Sequence, residues 1–359
     1  MPIVSGEKIA RISRELLVAV GATESNAAIV ADHLADANLV GHDSHGFIRI
    51  IQYLREIAEG NIEPAAEPEI VVERGGVARI SGNGTFGQVV CRFATELAIQ
   101  KARTNGIAMV ATCEHAHTGR LGSYSEMVAK AGMASIMTLG TRRTTVRRVA
   151  PFGGRDGRLG TNPISMGFPY GSEAPVILDF ATSIAAEGKV RVYRARGQAL
   201  PGDWLLDAEG KPSRNPEDLY NGGAILPMGG LDGGHKGYGL SFMVDLLGGA
   251  IASLNCTERT EGDPTRGSSI IVIDLDTFGE PESIEREVET LVRHVKASPP
   301  MEGHDGVLYP GEIEARNRSQ RQQDGVVIED ATWEEIAGLI EAHGLPEELA
   351  LVAEGTEAL

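Results

Sequence analysis

Hydrophobic positions recur at helical spacing through the first 60 residues. Apolar residues fall three or four positions apart over 6–20, and a second such segment begins after Thr23, a residue type typical of helix N-caps. This second segment ends at Gly41, a typical helix stop, and a third covers 47–58 and ends before Gly60. The chain therefore opens with three predicted helices.

From about residue 68 the pattern changes to short apolar runs bounded by glycine. Two short strands are predicted around Gly75–Gly76, and helices and strands then alternate. The predicted helices cover 88–106, 125–133, 235–252 and 285–298, and the predicted strands cover 107–112, 134–140, 175–182 and 268–276. Residues 140–163 form a Gly-, Arg- and Pro-rich stretch, and the tail after 313 is charged and helical with no predicted strand. This order predicts a mixed α/β middle flanked by one helical unit made from both termini.

The length of 359 residues allows two domains, and the net charge limits the partners. The chain carries 33 basic and 50 acidic residues, a formal charge of −17. An acidic surface repels phosphate backbones, so nucleic acid is not an expected partner. An anionic substrate would need a local positive site within this negative field, which draws attention to Arg and Lys inside motifs.

Cysteine usage and the N-terminus indicate the compartment. Cys91, Cys113 and Cys256 are scattered, without CxxC spacing, which argues against a disulfide framework and against a structural zinc site. No metal site is predicted. The N-terminus has no signal-type apolar core, and no stretch approaches the roughly 20 apolar residues that span a membrane. We therefore expect a cytoplasmic protein with no membrane partner.

A glycine motif at residues 82–87 offers one candidate cofactor site. The sequence GNGTFG fits GxGxxG, follows a predicted strand and precedes a predicted helix, and Glu114 lies just after the next predicted strand. Such a turn lets a pyrophosphate approach a helix N-terminus. However, Glu114 lies further from the motif than the usual spacing of about 20 residues. A glycine-rich turn before an ordinary helix explains the same letters, and spacing alone leaves both interpretations open.

Six further motifs follow one another along the chain. They are GHDSHGFIR (41–49), HAHTGRLGSY (115–124), APFGGRDGRLGTNP (150–163), LDFATS (178–183), GHKGYGL (234–240) and YPGE (309–312). In this order they resemble the malate/L-lactate dehydrogenase family that lacks a Rossmann fold, also called sulfolactate dehydrogenase-like. The segments VKASPP and YPGEIEARNR are most similar to its hydroxycarboxylate dehydrogenase B branch. The resemblance extends from about residue 5 to 345.

The resemblance implies a fold and an activity. The implied α/β fold has a non-Rossmann, mixed-sheet NAD(P)-binding domain over 71–314 and a helical domain built from 1–70 and 315–359. The implied protein is a homodimer that transfers a hydride between NAD(P) and a small 2-hydroxy acid or 2-oxo acid. The cofactor would lie between the domains, which disfavours the GxGxxG motif as its site. NADPH-dependent reduction of cyclic imino acids is the alternative activity, and an inactive family member also remains open.

Hydroxy-acid oxidation needs a group that exchanges a proton near neutral pH, and histidine suits this task. His45 resembles the proton-donor histidine of the family's Ser-His-Gly motif; otherwise it would be read as a helix-end histidine satisfied by backbone. His117 is the second candidate, able to orient the substrate oxygen or share a proton relay, and His115 is a weaker one. Some relatives place a lysine before Pro-Phe-Gly-Gly, but residues 141–148 contain none, which shifts the proposed chemistry to His45 and His117.

The substrate carboxylate needs a cationic clamp, and arginine is the preferred residue. Arg49 lies four residues after His45 and Tyr53 four after Arg49, so a helix would place all three near one face. Arg49 is the predicted clamp, although a solvated helix face would look the same. Ser44 and Tyr53 are further predicted substrate ligands, and Ser44 is equally suited to capping the helix.

The resemblance also implies a set of cofactor-binding residues. This set contains His45, Gly119, Arg120, Leu121, Leu178, Asp179, Phe180, Ala181, Thr182, His235, Lys236, Gly311 and Glu312. His235 and Lys236 are predicted to open a glycine-flanked helix whose N–H groups can hold a phosphate. The preceding loop, 229–234, carries Asp232, whose negative charge favours NAD over NADP.

Overall fold

The computed structural model describes residues 1–140, 148–252 and 266–351. The helices are α1 (Gly6–Ala19), α2 (Glu24–Leu39), α3 (Arg49–Ala58), α4 (Gly87–Asn105), α5 (Gly122–Lys130), α6 (Glu187–Ala195), α7 (Gly230–Val244), α8 (Pro281–Lys296), α9 (Glu312–Asp324) and α10 (Asp330–Ala342). The strands are β1 (Ile3–Val4), β2 (Glu69–Arg74), β3 (Val77–Ser81), β4 (Ile107–His115), β5 (Met133–Gly140), β6 (Ile164–Phe168), β7 (Val176–Phe180), β8 (Leu205–Leu206), β9 (Pro212–Ser213), β10 (Ala224–Ile225), β11 (Arg266–Asp274) and β12 (Val326–Val327).

A mixed sheet forms the centre of the α/β part. Its strand order is β2-β3-β4-β11-β5-β6-β7. The β3–β4 pair is parallel and joined by the crossover helix α4, whereas the other neighbouring pairs are antiparallel. A doubly wound Rossmann sheet is mostly parallel, so this topology confirms the predicted non-Rossmann mixed sheet. Small residues of α4, among them Ala94 and Ala98, let the helix pack closely on the sheet.

A second core joins the two ends of the chain. Buried apolar side chains of α1, α2 and α3 pack against Trp333, Ile336 and Ile340 of α10. Strand β1 pairs with β12, with Ile3 opposite Val327. The prediction of a strand-free tail is therefore wrong at β12, since two residues are too few to show an alternating pattern. The residue bounds of the two domains stay a prediction.

Other elements differ from the sequence prediction at their ends. Helix α3 begins at Arg49, two residues later than predicted, because a 3₁₀ turn over Asp43–His45 precedes it. Helix α7 begins at Gly230, five residues earlier than predicted, and continues as a π-helical segment over Asp245–Ile251. Residues 229–234 are therefore mostly the first turn of α7 and not a loop.

Several short elements were not predicted. Strand β6 extends the central sheet directly after the Gly-, Arg- and Pro-rich stretch. Strands β8, β9 and β10 form a small antiparallel sheet, and α6 packs with it around Val149, Val190 and Leu205. Among the described helices, none combines the length and apolar character needed to cross a membrane.

Candidate active site

The turn between α2 and α3 presents Ser44 and His45. Asn38, buried in α2, holds this turn from below: its Nδ2 donates to Asp43 Oδ1 at 2.7 Å, and its Oδ1 accepts from the Phe47 amide at 2.7 Å. A Cβ at Gly46 would overlap the Asn38 amide, which explains the glycine in the Ser-His-Gly motif. The turn is thus fixed by a buried side chain, so the position of His45 is well defined.

His45 and His117 come from distant segments and meet at this turn. Their rings stack with centroids 5.5 Å apart and planes 26° apart. His45 Nδ1 lies 3.0 Å from Ser44 Oγ, and both residues are at least partly exposed. Two imidazoles this close can both reach the oxygen of a small bound molecule. The structure therefore brings the two predicted acid–base residues together.

Arg49 lies at the first residue of α3, directly beside Ser44. Its Nε donates to the Ser44 carbonyl at 2.6 Å, and its Nη1 donates to Gln52 Oε1 at 2.6 Å. A guanidinium has five N–H donors, so these two bonds orient the side chain and leave capacity for a carboxylate. Burial lowers the pKa of Arg49, but an arginine remains protonated at neutral pH. Gly188 of α6 lies over Ser44, where an added Cβ would be 3.8 Å from Ser44 Cβ.

Tyr53 has protein partners where a substrate contact was predicted. Its side chain is fully buried, and its hydroxyl lies 2.8 Å from His117 Nδ1. Gln88 of α4 donates to the same hydroxyl from Nε2 at 2.6 Å. Arg49 and Tyr53 lie one turn apart in α3 as predicted, but His45 does not share their helical face, because it lies in the 3₁₀ turn before the helix. Gln88 was not predicted from the sequence. The one feature that could have indicated it is a polar side chain at a position of α4 where an apolar residue would be expected.

His115 is a core histidine. It is fully buried, and its Nε2 lies 2.8 Å from Thr112 Oγ1 while Nδ1 lies 2.9 Å from the Ala116 carbonyl. A carbonyl can only accept, so Nδ1 carries the proton and Nε2 accepts from the threonine hydroxyl. These partners leave His115 a structural role, in agreement with its lower ranking among the candidate histidines.

A fourth histidine, His33 of α2, supports the turn that follows His117. The Arg120 backbone N–H donates to His33 Nε2 at 2.9 Å. Burial, and then the charge of Arg120, lowers the pKa of His33 to about 4, so the ring is neutral. Gly119 has φ +72°, and a Cβ there would overlap the His33 ring. The sequence showed no functional signal at His33, since one histidine in an amphipathic helix is common.

A buried charge cluster binds the terminal helices to the α/β part. Arg120 is 4% exposed and donates to Asp36 Oδ2 at 3.0 Å and to Glu126 Oε2 at 3.2 Å. Arg318 of α9 donates to Glu126 Oε1 at 2.6 Å and to Asp36 Oδ1 at 2.7 Å. The Arg120 side chain, a predicted cofactor ligand, is thus mostly used within the protein, although its buried Nε has no partner among the described residues.

Three predicted cofactor segments converge on one crevice. Arg120, Asp179 and Gly311 line it together with Glu314 and Arg318. Asp179 Oδ2 accepts from the Gly122 backbone N–H at 2.7 Å, and burial raises the pKa of Asp179 although Arg120 opposes this. Gly311 adopts φ +94° and packs closely against the β7 backbone. Leu178, Phe180 and Ala181 continue along β7 half-buried, whereas Leu121 is buried in the core.

Other predicted cofactor residues lie outside this crevice or are engaged within the protein. The Thr182 hydroxyl donates to the Asn162 carbonyl at 2.9 Å, and Glu312 accepts from Lys296 at 2.7 Å. His235 and Lys236 are exposed in the second turn of α7. The prediction that they open a helix is wrong, and their backbone N–H groups lie inside the helix.

The glycines of the GxGxxG motif are explained by packing. A Cβ at Gly82 would lie 2.7 Å from the Glu114 carbonyl, and one at Gly87 would lie 2.5 Å from the carbonyl oxygens of Ala116 and His117. Glu114 Oε2 accepts from Ser81 Oγ at 2.6 Å. Protein backbone occupies the space that a pyrophosphate would need, which favours the turn interpretation. Residues 141–147, which make up most of the stretch without lysine, lie outside the described residues, and so does Cys256.

The fold and this site define a class: a non-Rossmann mixed α/β protein with two stacked histidines beside an arginine. A family model described as Malate/L-lactate dehydrogenase matches residues 4–337, and the chain belongs to this family. The chain is 38% identical over 338 residues to Hydroxycarboxylate dehydrogenase B of Escherichia coli O157:H7, covering 91% of each protein. This relative represents the branch that the motifs indicated.

Solved structures extend the similarity to three dimensions. Malate dehydrogenase from Entamoeba histolytica superposes with a TM-score of 0.90 at 29% identity, over 96% of this chain and 98% of that one. The Δ1-piperideine-2-carboxylate reductase from Pseudomonas syringae pvar. tomato superposes with a TM-score of 0.80 at 29% identity, over 94% of this chain and 100% of that one. One fold is thus shared by proteins named for two different reductions.

Proposed function

We propose that the protein is an NAD(P)-dependent oxidoreductase that interconverts a small 2-hydroxy acid and its 2-oxo acid. The observation that carries this proposal is the contact of His45 with His117 directly beside Arg49. A 2-oxo acid has a carboxylate next to a carbonyl, and these residues offer a cation next to two imidazoles. The similarity to malate and hydroxycarboxylate dehydrogenases supports the same assignment.

The chemistry of this chain's residues follows from their positions. Arg49 binds the substrate carboxylate through its remaining N–H groups, which orients the C2 oxygen towards the two histidines. His45 gives a proton to that oxygen in reduction and takes it back in oxidation. Arg49 and the α6 segment above Ser44 restrict the space to a small acid.

The crevice at Arg120, Asp179 and Gly311 has a volume of about 30 Å³, which admits only a small part of a cofactor. In the part of the chain that the structure describes, the buried Arg120 Nε has no partner, and a bound group would satisfy a donor of this kind. We propose that Gly119–Gly122, the end of β7 and the turn at Gly311 hold the dinucleotide. When bound, its nicotinamide supplies or accepts the hydride at C2.

Two finer points also belong to this proposal. Asp232 is exposed in the first turn of α7, and its charge disfavours a further phosphate nearby, so NAD is favoured over NADP.

Five large apolar side chains on α7 and its π-helical extension are at least 41% exposed: Leu231, Phe242, Met243, Leu246 and Ile251. An apolar face of this kind is typical of subunit interfaces, and we propose that it joins two copies in a homodimer.

NADPH-dependent reduction of a cyclic imino acid is the second candidate. The structural similarity to Δ1-piperideine-2-carboxylate reductase supports it. Arg49 would bind the same carboxylate, and the histidines would face a C=N bond in place of C=O. The 2-oxo acid remains the preferred substrate class because the relative with 38% identity carries the hydroxycarboxylate name.

The test is oxidation of NADH and NADPH in the presence of a panel of 2-oxo acids and cyclic imino acids, with no-substrate controls. Turnover of 2-oxo acids, faster with NADH, is the expected result. Turnover of imino acids alone would assign the second candidate. If no compound of the panel is turned over with either cofactor, both proposed activities are contradicted.

A further inference from the structure

Two groups contact Nδ1 of His117, and a third contacts one of these two. The Tyr53 hydroxyl lies 2.8 Å away, and the Gly119 backbone N–H donates to the same nitrogen at 3.3 Å. Gln88 Nε2 donates to the Tyr53 hydroxyl at 2.6 Å. Tyr53 is fully buried and Gln88 is 1% exposed, so solvent does not compete for these bonds. The three contacts form a series of hydrogen bonds that runs from α4 through α3 to the turn after β4.

The direction of these hydrogen bonds follows from the groups that can only donate. A backbone N–H can only donate, so the Gly119 contact makes Nδ1 an acceptor. The Gln88 amide nitrogen also only donates, so the Tyr53 oxygen accepts from it, and the hydroxyl proton points to His117. Reversing the Gln88 amide would turn the Tyr53 bond around, but Gly119 would then face a protonated Nδ1. Both Gly119 and Tyr53 therefore favour a neutral His117 with its proton on Nε2.

We propose that Tyr53 and Gln88 are positioning residues that hold His117 in its Nε2–H tautomer, so that His117 acts as a hydrogen-bond donor to the substrate. This inference rests on the proposed function, because the substrate is the 2-oxo acid held by Arg49. His117 polarises the C2 carbonyl without changing charge, and His45 exchanges the proton. The paired histidines thus have different tasks, and Tyr53 acts through His117 without touching the substrate.

The first test observes the tautomer directly. The full-length protein is labelled with ¹⁵N-histidine, and long-range ¹H–¹⁵N spectra are recorded near pH 8, with His117 identified through a His117→Asn variant. We expect an unprotonated Nδ1 and a protonated Nε2 in the wild type. Tyr53→Phe should give a mixture of tautomers. A wild-type His117 with its proton on Nδ1, or a tautomer unaffected by Tyr53→Phe, would overturn the proposal.

The second test is kinetic and uses Tyr124→Phe as the matched control. Tyr124 is another buried tyrosine of this region, and its hydroxyl donates to a backbone carbonyl, that of Thr118, at 2.6 Å. Tyr53→Phe should lower kcat for 2-oxo acids at least about tenfold with little change in KM, the effect of losing one buried hydrogen bond. Tyr124→Phe should stay within about threefold. Equal losses in both variants would mean that Tyr53 acts only through stability.

A double variant tests whether Gln88 and Tyr53 act on His117 in series or independently. Gln88→Met removes the donor to Tyr53 at similar volume, and thermal unfolding of each variant verifies folding. The Tyr53→Phe/Gln88→Met protein should be no slower than Tyr53→Phe alone, because Gln88 acts through Tyr53. Additive losses would overturn this order of action. The NMR result does not depend on turnover, so an inactive wild type with the Nε2–H tautomer would refute the proposed function while upholding the tautomer assignment.

Discussion

Replacing Glu126 with glutamine is expected to destabilise the protein by about 3 kcal/mol at pH 7. The Glu126 side chain is 9% exposed and accepts from Arg318 at 2.6 Å, with Lys130 at 2.9 Å and Arg120 at 3.2 Å. Glutamine keeps the shape but removes the charge, which leaves two largely buried guanidinium groups with Asp36 as their remaining anion. Loss of one partner from a buried ion pair is costly because the other charge stays desolvated.

The magnitude follows from proton linkage. Burial alone would raise the pKa of Glu126, but the bonds and charges of Arg318 and Lys130 lower it from 4.5 to about 2. Each pKa unit is worth about 1.4 kcal/mol, so the lowered pKa contributes about 3 kcal/mol. Because the folded-state pKa is depressed, this contribution is complete above pH 4.5 and is lost as the pH falls through about 2. At pH 3 about 1.5 kcal/mol should remain.

Urea unfolding at pH 7, 4 and 3 measures this contribution for wild type and Glu126→Gln. The matched control is Glu96→Gln, which removes an exposed carboxylate paired with Arg92 one helical turn away. That variant should change the free energy of unfolding by no more than about 0.5 kcal/mol. Equal losses for both variants at pH 7 would refute the argument. So would a gap between wild type and Glu126→Gln that does not narrow at pH 3.

Three further predictions concern the site and the proposed dimer. His45→Ala should lower kcat by about 10²–10⁴-fold while cofactor binding, followed by nucleotide fluorescence, persists; activity within a few-fold would remove His45 from its role. Arg49→Ala should raise KM for every 2-oxo acid of the panel, and unchanged kcat and KM would exclude the clamp. Phe242→Glu should halve the molar mass measured by light scattering, whereas Phe278→Glu, at a site 76% exposed after β11, should not.

Elements with a sustained periodic pattern were predictable from the sequence. Helix α4 was expected over 88–106 and is found at Gly87–Asn105, ended by Gly106 with φ +76°. The two-residue strands β1 and β12 were not predictable, because they are defined by pairing across more than 300 residues and carry no period of their own. Helix α6 was missed for a related reason: it buries only Val190, so no apolar stripe marks it.

Only those site residues that belong to recognisable motifs were predictable from the sequence. The Ser-His-Gly motif identified His45 and the resemblance identified His117, and the fold brings them to 5.5 Å. Arg49 and Tyr53 lie one turn apart in α3 as the spacing predicted, but the same spacing assumed a helix through residue 45, whereas His45 lies in a 3₁₀ turn. Gln88, the partner of Tyr53, lies 35 positions away, and no spacing rule connects residues at that distance.

The His-Ala-His motif shows why position within an element decides the role of a residue. His115 is the last residue of β4, so the sheet holds its ring in the interior against Thr112 of the same strand. His117 lies two residues beyond the strand end, where the chain turns and the ring reaches His45 and Tyr53. Identical side chains two positions apart are thus separated into core and site by where the strand stops. A buried polar residue beneath such a turn, as Gln88 is here, then favours, through Tyr53, one of the two nitrogens of the partly exposed imidazole as the site of the proton.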